Sequence, residues 1–213
     1  MIRKNVVLAV ETAFAGGSIS LIVNDCEIDR WVGVKEISKS EDVLLGIAKL
    51  LKRNNFEQIN IDAIVVAKEV GGSTGLRIGQ ALGRGLSKSL NCEYKEISVL
   101  ESLLIKRNKN GIIITAVMIN KIEVFYEVFR TENGVLSQSL NNAARCSLET
   151  LKKLLVQTYY NNFIFYDLQN EYASDNLSEI QLFSDKKNIN LRESLSTYLG
   201  LYFIAPYIYE NDI

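Results

Sequence analysis

Two stretches of this chain have residue types and spacing suited to chemistry. The first is the run Val70-Gly71-Gly72-Ser73-Thr74-Gly75-Leu76-Arg77-Ile78-Gly79, which follows the apolar stretch Ala63-Ile64-Val65-Val66-Ala67. A small-residue loop between a buried strand and a helix can turn backbone N–H groups onto a phosphate. No Gly-Lys-Ser/Thr follows, so this is not a P-loop, and the spacing is not G-x-G-x-x-G. The same glycines equally suit a tight strand-to-helix turn that needs positive φ. The second stretch is Glu11-Thr12, just after the apolar run Val6-Val7-Leu8-Ala9-Val10. A carboxylate there could hold a magnesium-bound water beside a nucleotide phosphate, or it could simply end a strand in solvent.

Other chemistries are excluded by composition. The 213 residues contain no histidine, so Ser-His-Asp and Cys-His mechanisms and His-ligated metals are ruled out. Any general base must be Asp, Glu, Lys or Tyr. The three cysteines, Cys26, Cys92 and Cys146, form no C-x-x-C pair, which predicts reduced thiols and no zinc site. A net charge of −1 gives no bulk attraction to nucleic acid or anionic membrane. Glu11 interrupts the first apolar run before a signal-peptide core forms, and Ile112 to Ile119 is too short to cross a bilayer. These features predict a cytoplasmic protein with no membrane partner.

The glycine run continues into a helix, expected from about Gly75 to Leu90. Its surface carries three stripes: Arg77, Ala81, Arg84 and Lys88; Ile78, Leu82, Leu86 and Leu90; and Gly75, Gly79 and Gly83. Glycine inside a helix costs up to about 1 kcal/mol against alanine, which close approach of another backbone can offset. That neighbour is either the same lobe or another chain. If the Ile/Leu stripe serves the lobe, the glycine stripe is spare for a partner.

These segments need elements to hold them. Strands are predicted at Asn5 to Val10, Ser18 to Val23 and Glu27 to Val34, with Asn24-Asp25 as a hairpin turn. Ser38-Lys39-Ser40-Glu41 reads as a capping box, followed by Val43, Leu44, Ile47, Leu50 and Leu51 at helical spacing to about Arg53. Ala63 to Ala67 and Cys92 to Ile97 read as strands flanking the glycine helix. The second half gives strands at Ile112 to Ile119, Lys121 to Arg130 and Gly134 to Leu140, a helix at Ser147 to Val156, a strand at Phe163 to Tyr166 and a helix at about Arg192 to Phe203. Both halves share the order strand-strand-strand-helix-strand-helix. The pattern predicts an α/β protein of two lobes built on one plan.

Val7-Leu8-Ala9-Val10-Glu11-Thr12, Asp62-Ala63-Ile64-Val65-Val66 and Gly71-Gly72-Ser73-Thr74-Gly75-Leu76-Arg77-Ile78-Gly79 together resemble the TsaB (YeaZ) family, small bacterial relatives of the TsaD/Kae1 proteins. Ile97-Ser98-Val99-Leu100-Glu101-Ser102-Leu103 is similar to that family's segment after the fifth strand. Ala116-Val117 with Glu123-Val124-Phe125 resembles the start of its second lobe. The likeness is dense over about the first 105 residues and thin beyond them. It implies the two-lobed actin/hexokinase/Hsp70-like (ASKHA) ATPase fold, each lobe a mixed β-sheet packed with helices, with the lobes at 1–105 and 106–213.

The resemblance also implies a role in making N6-threonylcarbamoyladenosine next to the anticodon of tRNAs that read ANN codons. In that family TsaB pairs with catalytic TsaD and is not itself the catalyst, and the ATPase TsaE joins them. A homodimer in isolation and only indirect contact with tRNA go with that picture. Glycoprotease activity, an older label for such proteins, is rejected for a chain without histidine. No catalytic residue and no metal ligand is expected.

The sequence departs from the family pattern where a nucleotide would sit. Glu11-Thr12 replaces the usual Asp-Thr. Ala67-Lys68-Glu69-Val70-Gly71-Gly72-Ser73-Thr74-Gly75 replaces G-x-G-P-G-S-F-T-G, and Met118 stands where an aspartate is common. Glu69 near the loop would repel a phosphate. Glu11, Thr12, Gly71, Gly72, Ser73 and Thr74 are therefore expected to form a vestigial nucleotide site. ATP or ADP binding should be weak or absent, with a nucleotide shared at a partner interface as the remaining option. In the family the first two helices of the first lobe meet TsaD, which points to Val43, Leu44, Ile47, Leu50 and Leu51 on one helix. On the other it points to Gly75, Leu76, Gly79, Leu82, Gly83 and Leu86. The alternative is an active small ATPase or kinase of the same fold using Glu11, Thr12 and the 71–75 loop.

Overall fold

The computed structural model describes residues 5–14, 16–33, 40–57, 61–104, 110–120, 122–132, 135–158, 162–166, 196–197, 199–201 and 203. The chain forms two compact units: Met1–Ile105 with Arg192–Ile213, and Lys106–Leu191.

The first unit is built on a five-stranded sheet. Strands β1 (Val6–Glu11) and β2 (Ser18–Val23) are apolar enough to be buried at every position. Asn24 (φ 47°) and Asp25 (φ 66°) turn β2 into β3 (Cys26–Val32), the double positive φ of a tight hairpin. Helix α1 (Ser40–Arg53) leads to β4 (Ala63–Lys68), and α2 (Ser73–Leu90) to β5 (Glu93–Ser98), which the four-residue α3 (Val99–Ser102) extends. The order is β3-β2-β1-β4-β5. The first three strands run antiparallel, and β1-β4-β5 run parallel through the two helical crossovers. The 38–39 part of the expected capping box lies outside the described residues. Helix α1 carries Glu41 and Asp42 in its first turn and Lys52 and Arg53 in its last, complementing the helix dipole.

Alternation along the strands divides the first unit's core. Val6, Leu8 and Val10, with Ile19, Leu21, Ile64 and Val66, meet Val43, Ile47, Leu50 and Leu51 of α1, and half-buried Leu82, Leu86 and Leu90 of α2 pack against the same cluster. The opposite face carries helical residues from near the C-terminus. A Cβ on Gly200 would lie 2.2 Å from Ile22 Cδ1 and 3.1 Å from Ala9 Cβ. Ser196 N donates to Ser18 Oγ at 3.4 Å, and the Thr197 hydroxyl donates to the Glu27 carboxylate, which also accepts from Ser20 Oγ at 2.7 Å. The expected lobe 106–213 is corrected on this point: residues 192–213 belong with the first unit, because Ser196, Leu199 and Phe203 are buried there.

The second unit has strands β6 (Gly111–Met118), β7 (Glu123–Glu132), β8 (Val135–Ser139), β9 (Ala144–Ser147) and β10 (Asn162–Tyr166), with α4 (Leu148–Thr158) before β10. Its sheet order is β10-β6-β7-β8, and β9 also pairs with β7. Strand β8 pairs with Phe129 to Glu132 and β9 with Glu123 to Tyr126. These two short strands occupy successive stretches of β7 and together fill the place that β3 holds in the first sheet. Both sheets thus run third, second, first, fourth. The β6–β7 turn is fixed by Asn120, whose Oδ1 accepts from Ile122 N at 2.9 Å and Glu123 N at 3.0 Å, an aspargine-type turn. Leu148, Leu151 and Leu155 of α4 close the core over Ile114, Ala116, Val124 and Val128. Among the described residues no helix is long and apolar enough to cross a membrane.

Candidate functional site

Strands β1 and β4 are parallel neighbours, with Val10 opposite Val66, so their C-terminal ends bring Glu11-Thr12 and the glycine loop together. Such ends are where open α/β sheets hold ligands. Here the groups facing one another are joined to one another. The Thr12 hydroxyl donates to Gly75 O at 2.8 Å. Gly72 N donates to Ala13 O at 2.7 Å. Ala13 N and Phe14 N both donate to Glu11 Oε1, the second at 2.9 Å. A Cβ on Gly71, whose φ is +127°, would lie 2.4 Å from Ala13 Cβ. The structure thus assembles Glu11, Thr12, Gly71, Gly72 and Gly75 around Ala13, a residue that no sequence signal marked. Ser73 and Thr74 are exposed in the first turn of α2, whose N-cap Gly72 offers no side chain.

Lys68, which ends β4, and Glu69 lead into this loop. Glu69 sits at φ +73°, and Val70 N donates back to Lys68 O at 2.9 Å, a γ-turn that tips Glu69 outward from buried Val70. Lys68 Nζ lies 3.1 Å from Glu69 Oε1. Burial pushes the Glu101 carboxyl up, Lys68 pulls it down, and Glu69 adds to the rise. Met118, standing where an aspartate was looked for, is a buried core residue at the end of β6. Among the described residues no group of three His, Cys, Asp or Glu side chains could hold a metal.

The glycine stripe of α2 faces the chain's own sheet, which corrects the expectation that it is spare for a partner. A Cβ on Gly75 would lie 2.0 Å from Thr12 O, one on Gly79 2.3 Å from Thr12 Oγ1, and one on Gly83 2.6 Å from Val66 Cγ1 and 2.9 Å from Tyr94 Cε2. Gly79, Gly83 and Ser87 are the buried residues of α2. The missing side chains let the helix axis settle onto β1 and β4, while Leu82 and Leu86 flank the contact half-buried. Leu76 is likewise half-buried.

The predicted docking residues of α1 need a second correction. Val43 is 1% exposed, and Ile47, Leu50 and Leu51 are buried with it in the core. Leu44, by contrast, is 42% exposed and its neighbour Leu45 57%. Ala48, one turn on from Leu44, is exposed as well. Sequence reasoning missed Leu45 because it was absent from the periodic set that marked the buried face. Its standing outside that set is the signal that could have found it.

This sheet order, repeated in two units with crossover helices, is that of the actin-like ATPase fold. The chain superimposes on YeaZ from Pseudomonas aeruginosa with a TM-score of 0.65 at 16% identity, covering 97% of this chain and 94% of that one. EutJ, an ethanolamine utilization protein from Carboxydothermus hydrogenoformans, superimposes with a TM-score of 0.54 at 10% identity over 93% and 89% of the two chains. In sequence, residues 37–173 match the family described as TsaD: tRNA N6-adenosine threonylcarbamoyltransferase. A curated relative, the tRNA threonylcarbamoyladenosine biosynthesis protein TsaB of Bacillus subtilis (strain 168), is 28% identical over 133 residues. That match spans 62% of this chain and 58% of the relative. The chain belongs to the TsaD family, within its TsaB/YeaZ group.

Proposed function

We propose that this chain is a non-catalytic subunit of the machinery that forms N6-threonylcarbamoyladenosine in tRNA, docking on a TsaD-like enzyme through the open face of α1 and α2. Family membership supports the pathway. The observation that carries the accessory role is the glycine loop, where Gly72 N bonds to Ala13 O and Gly75 O accepts from the Thr12 hydroxyl, so these two groups are taken up by the turn after β1. Leu44 and Leu45 support the docking face, because α1 otherwise buries its large apolar residues. Covering an exposed leucine is worth roughly 1.5–3 kcal/mol, so two adjacent ones make a useful anchor for a partner.

On this reading a TsaE-like ATPase joins the pair, tRNA is reached through the partner, and the work is cytoplasmic. The same face can close a homodimer when the partner is absent. Nucleotide binding by the isolated chain is weak or absent, and a nucleotide held at the partner interface belongs to the assembly. The competing reading, an active small ATPase, needs turnover by the chain alone.

Reconstitution tests the proposal. The purified chain is combined with TsaD-like and TsaE-like proteins of the same source, tRNA and ATP. Modification that requires all three proteins, with no ATP turnover by this chain alone, is the expected result. Full modification without this chain, or rapid ATP turnover by it, would contradict the proposal.

A further inference from the structure

We propose that the helical residues Ser196, Thr197, Leu199, Gly200, Leu201 and Phe203 form a detachable strap, which opens from β2 and β3 while the sheet beneath it stays folded. The two faces of β2 differ in chemistry. Ile19 and Leu21 point into the apolar core shared with α1. Ser18 and Ser20 alternate with them onto the strap's face, and both are fully buried there. Ser196 N donates to Ser18 Oγ at 3.4 Å, longer than an ordinary N–H···O bond. The Thr197 hydroxyl donates to the Glu27 carboxylate. Buried Leu199 and Phe203 add the apolar part of the contact.

This seat lowers the cost of opening. Ser196 Oγ is fully buried and has no hydrogen-bond partner. The closed strap carries the desolvation of that hydroxyl, and opening returns it to water. Glu27 keeps partners of its own when the strap leaves, because Ser20 Oγ donates to it at 2.7 Å and Arg30 Nη2 at 2.7 Å. No buried charge is therefore stranded. Gly200 fits without slack: a Cβ there would lie 2.2 Å from Ile22 Cδ1 and 3.1 Å from Ala9 Cβ. Glycine within a helix also weakens the helix itself. The chain leaves the first unit after Ile105 and rejoins it at Arg192. The strap belongs to the rejoining part, so its opening undocks the returning chain from the first unit's sheet. The inference concerns the isolated chain and does not rest on the partner reading, so either can fail while the other stands.

The test is amide hydrogen exchange of the ¹⁵N-labelled full chain, in water and in low urea. Leu199, Gly200 and Leu201 of the strap are read against Leu8 and Leu21 of the sheet. The strap amides should be protected, yet exchange roughly tenfold or more faster than the sheet amides and with a smaller urea dependence, as a local opening that exposes little surface requires. Ser196→Ala removes the partnerless hydroxyl and should slow strap exchange about fivefold or more. Gly200→Ala wedges a methyl against Ile22 and should speed it about fivefold or more. Strap amides that match Leu8 and Leu21 in rate and urea dependence, or that show no protection at all, overturn the proposal. So does a Ser196→Ala chain whose strap exchanges as fast as the unsubstituted one, or a folded Gly200→Ala chain whose strap exchanges no faster. If Gly200→Ala fails to fold, the unsubstituted chain and Ser196→Ala decide the matter.

Discussion

Thr12 Oγ1 donates to Gly75 O over 2.8 Å, and the same oxygen would lie 2.3 Å from a Cβ placed on Gly79. One hydroxyl therefore couples the end of β1 to two successive turns of α2. The glycine stripe is an intramolecular seat for this helix, and the hydroxyl is what fills the groove it leaves.

That coupling predicts a non-additive pair. Gly79→Ala should destabilise the fold by about 1–3 kcal/mol, the usual cost of overpacking. In a Thr12→Ala background the next nearest atom to the new methyl is Thr12 Cβ at 3.6 Å, so the same substitution should cost much less. Urea unfolding of the four proteins in the cycle measures the difference. Gly85 is the control on the same helix. A Cβ there meets nothing within 4 Å, so Gly85→Ala should stabilise by up to about 1 kcal/mol.

Spacing alone showed that Gly75, Gly79 and Gly83 share a face, but it could not say what that face meets. Side-by-side leucine and glycine stripes are consistent with packing inward on either one. Ser87 extends the glycine row by one further turn and is buried with it, a hint that four small residues serve one long contact with a sheet. The strands were more legible, since runs such as Val6 to Val10 are buried on both faces and read as continuous apolar stretches. The turn at Asn24-Asp25 was legible because few residues tolerate two positive φ values in succession. Strand β9 and helix α3 escaped notice, being four residues each, too short to show a period. The placement of Ser196 against β2 and of Thr197 against β3 depends on contacts 178 and 170 positions away in sequence, which no local pattern encodes. At the site, the role of Ala13 was hidden because its backbone, not its side chain, makes the contacts with Glu11 and Gly72.

Tyr94 predicts an alkaline signature. Burial first, and then its hydrogen bond to Glu96 at 2.7 Å, pushes its phenol up from 10.0 to about 12. The folded pKa is raised, so the unfolded chain loses this proton first as pH rises. Stability from Tyr94 is complete below pH 10 and is lost between 10 and about 12. The Tyr94 phenolate should appear late by ultraviolet absorbance. Tyr94→Phe should abolish that late step and flatten the loss of stability over this range.

Asp29 predicts the opposite behaviour in acid. Partial burial pushes its carboxyl up, but hydrogen bonds from Arg53, Asn54 and Arg30 N outweigh this and hold it below 3.8. Arg53 Nη2 donates to Asp29 Oδ1 at 2.6 Å, tying α1 to β3. A lowered folded pKa means the contribution is present above the ordinary aspartate range and is lost as pH falls through the folded value. Asp29→Asn should be less stable at neutral pH by no more than about 1 kcal/mol, as for other exposed ion pairs. Its stability should also fall less steeply below about pH 4, as urea midpoints across that range would show.

The most direct test of the accessory role is co-elution with the TsaD-like protein of the same source, comparing the unsubstituted chain with Leu44→Asp/Leu45→Asp. Both positions are exposed on α1, so the variant should fold and melt like its parent. The account predicts that the unsubstituted chain elutes as a complex with its partner and the folded variant elutes alone. Undiminished co-elution of the folded variant, or no complex with the unsubstituted chain, would contradict it.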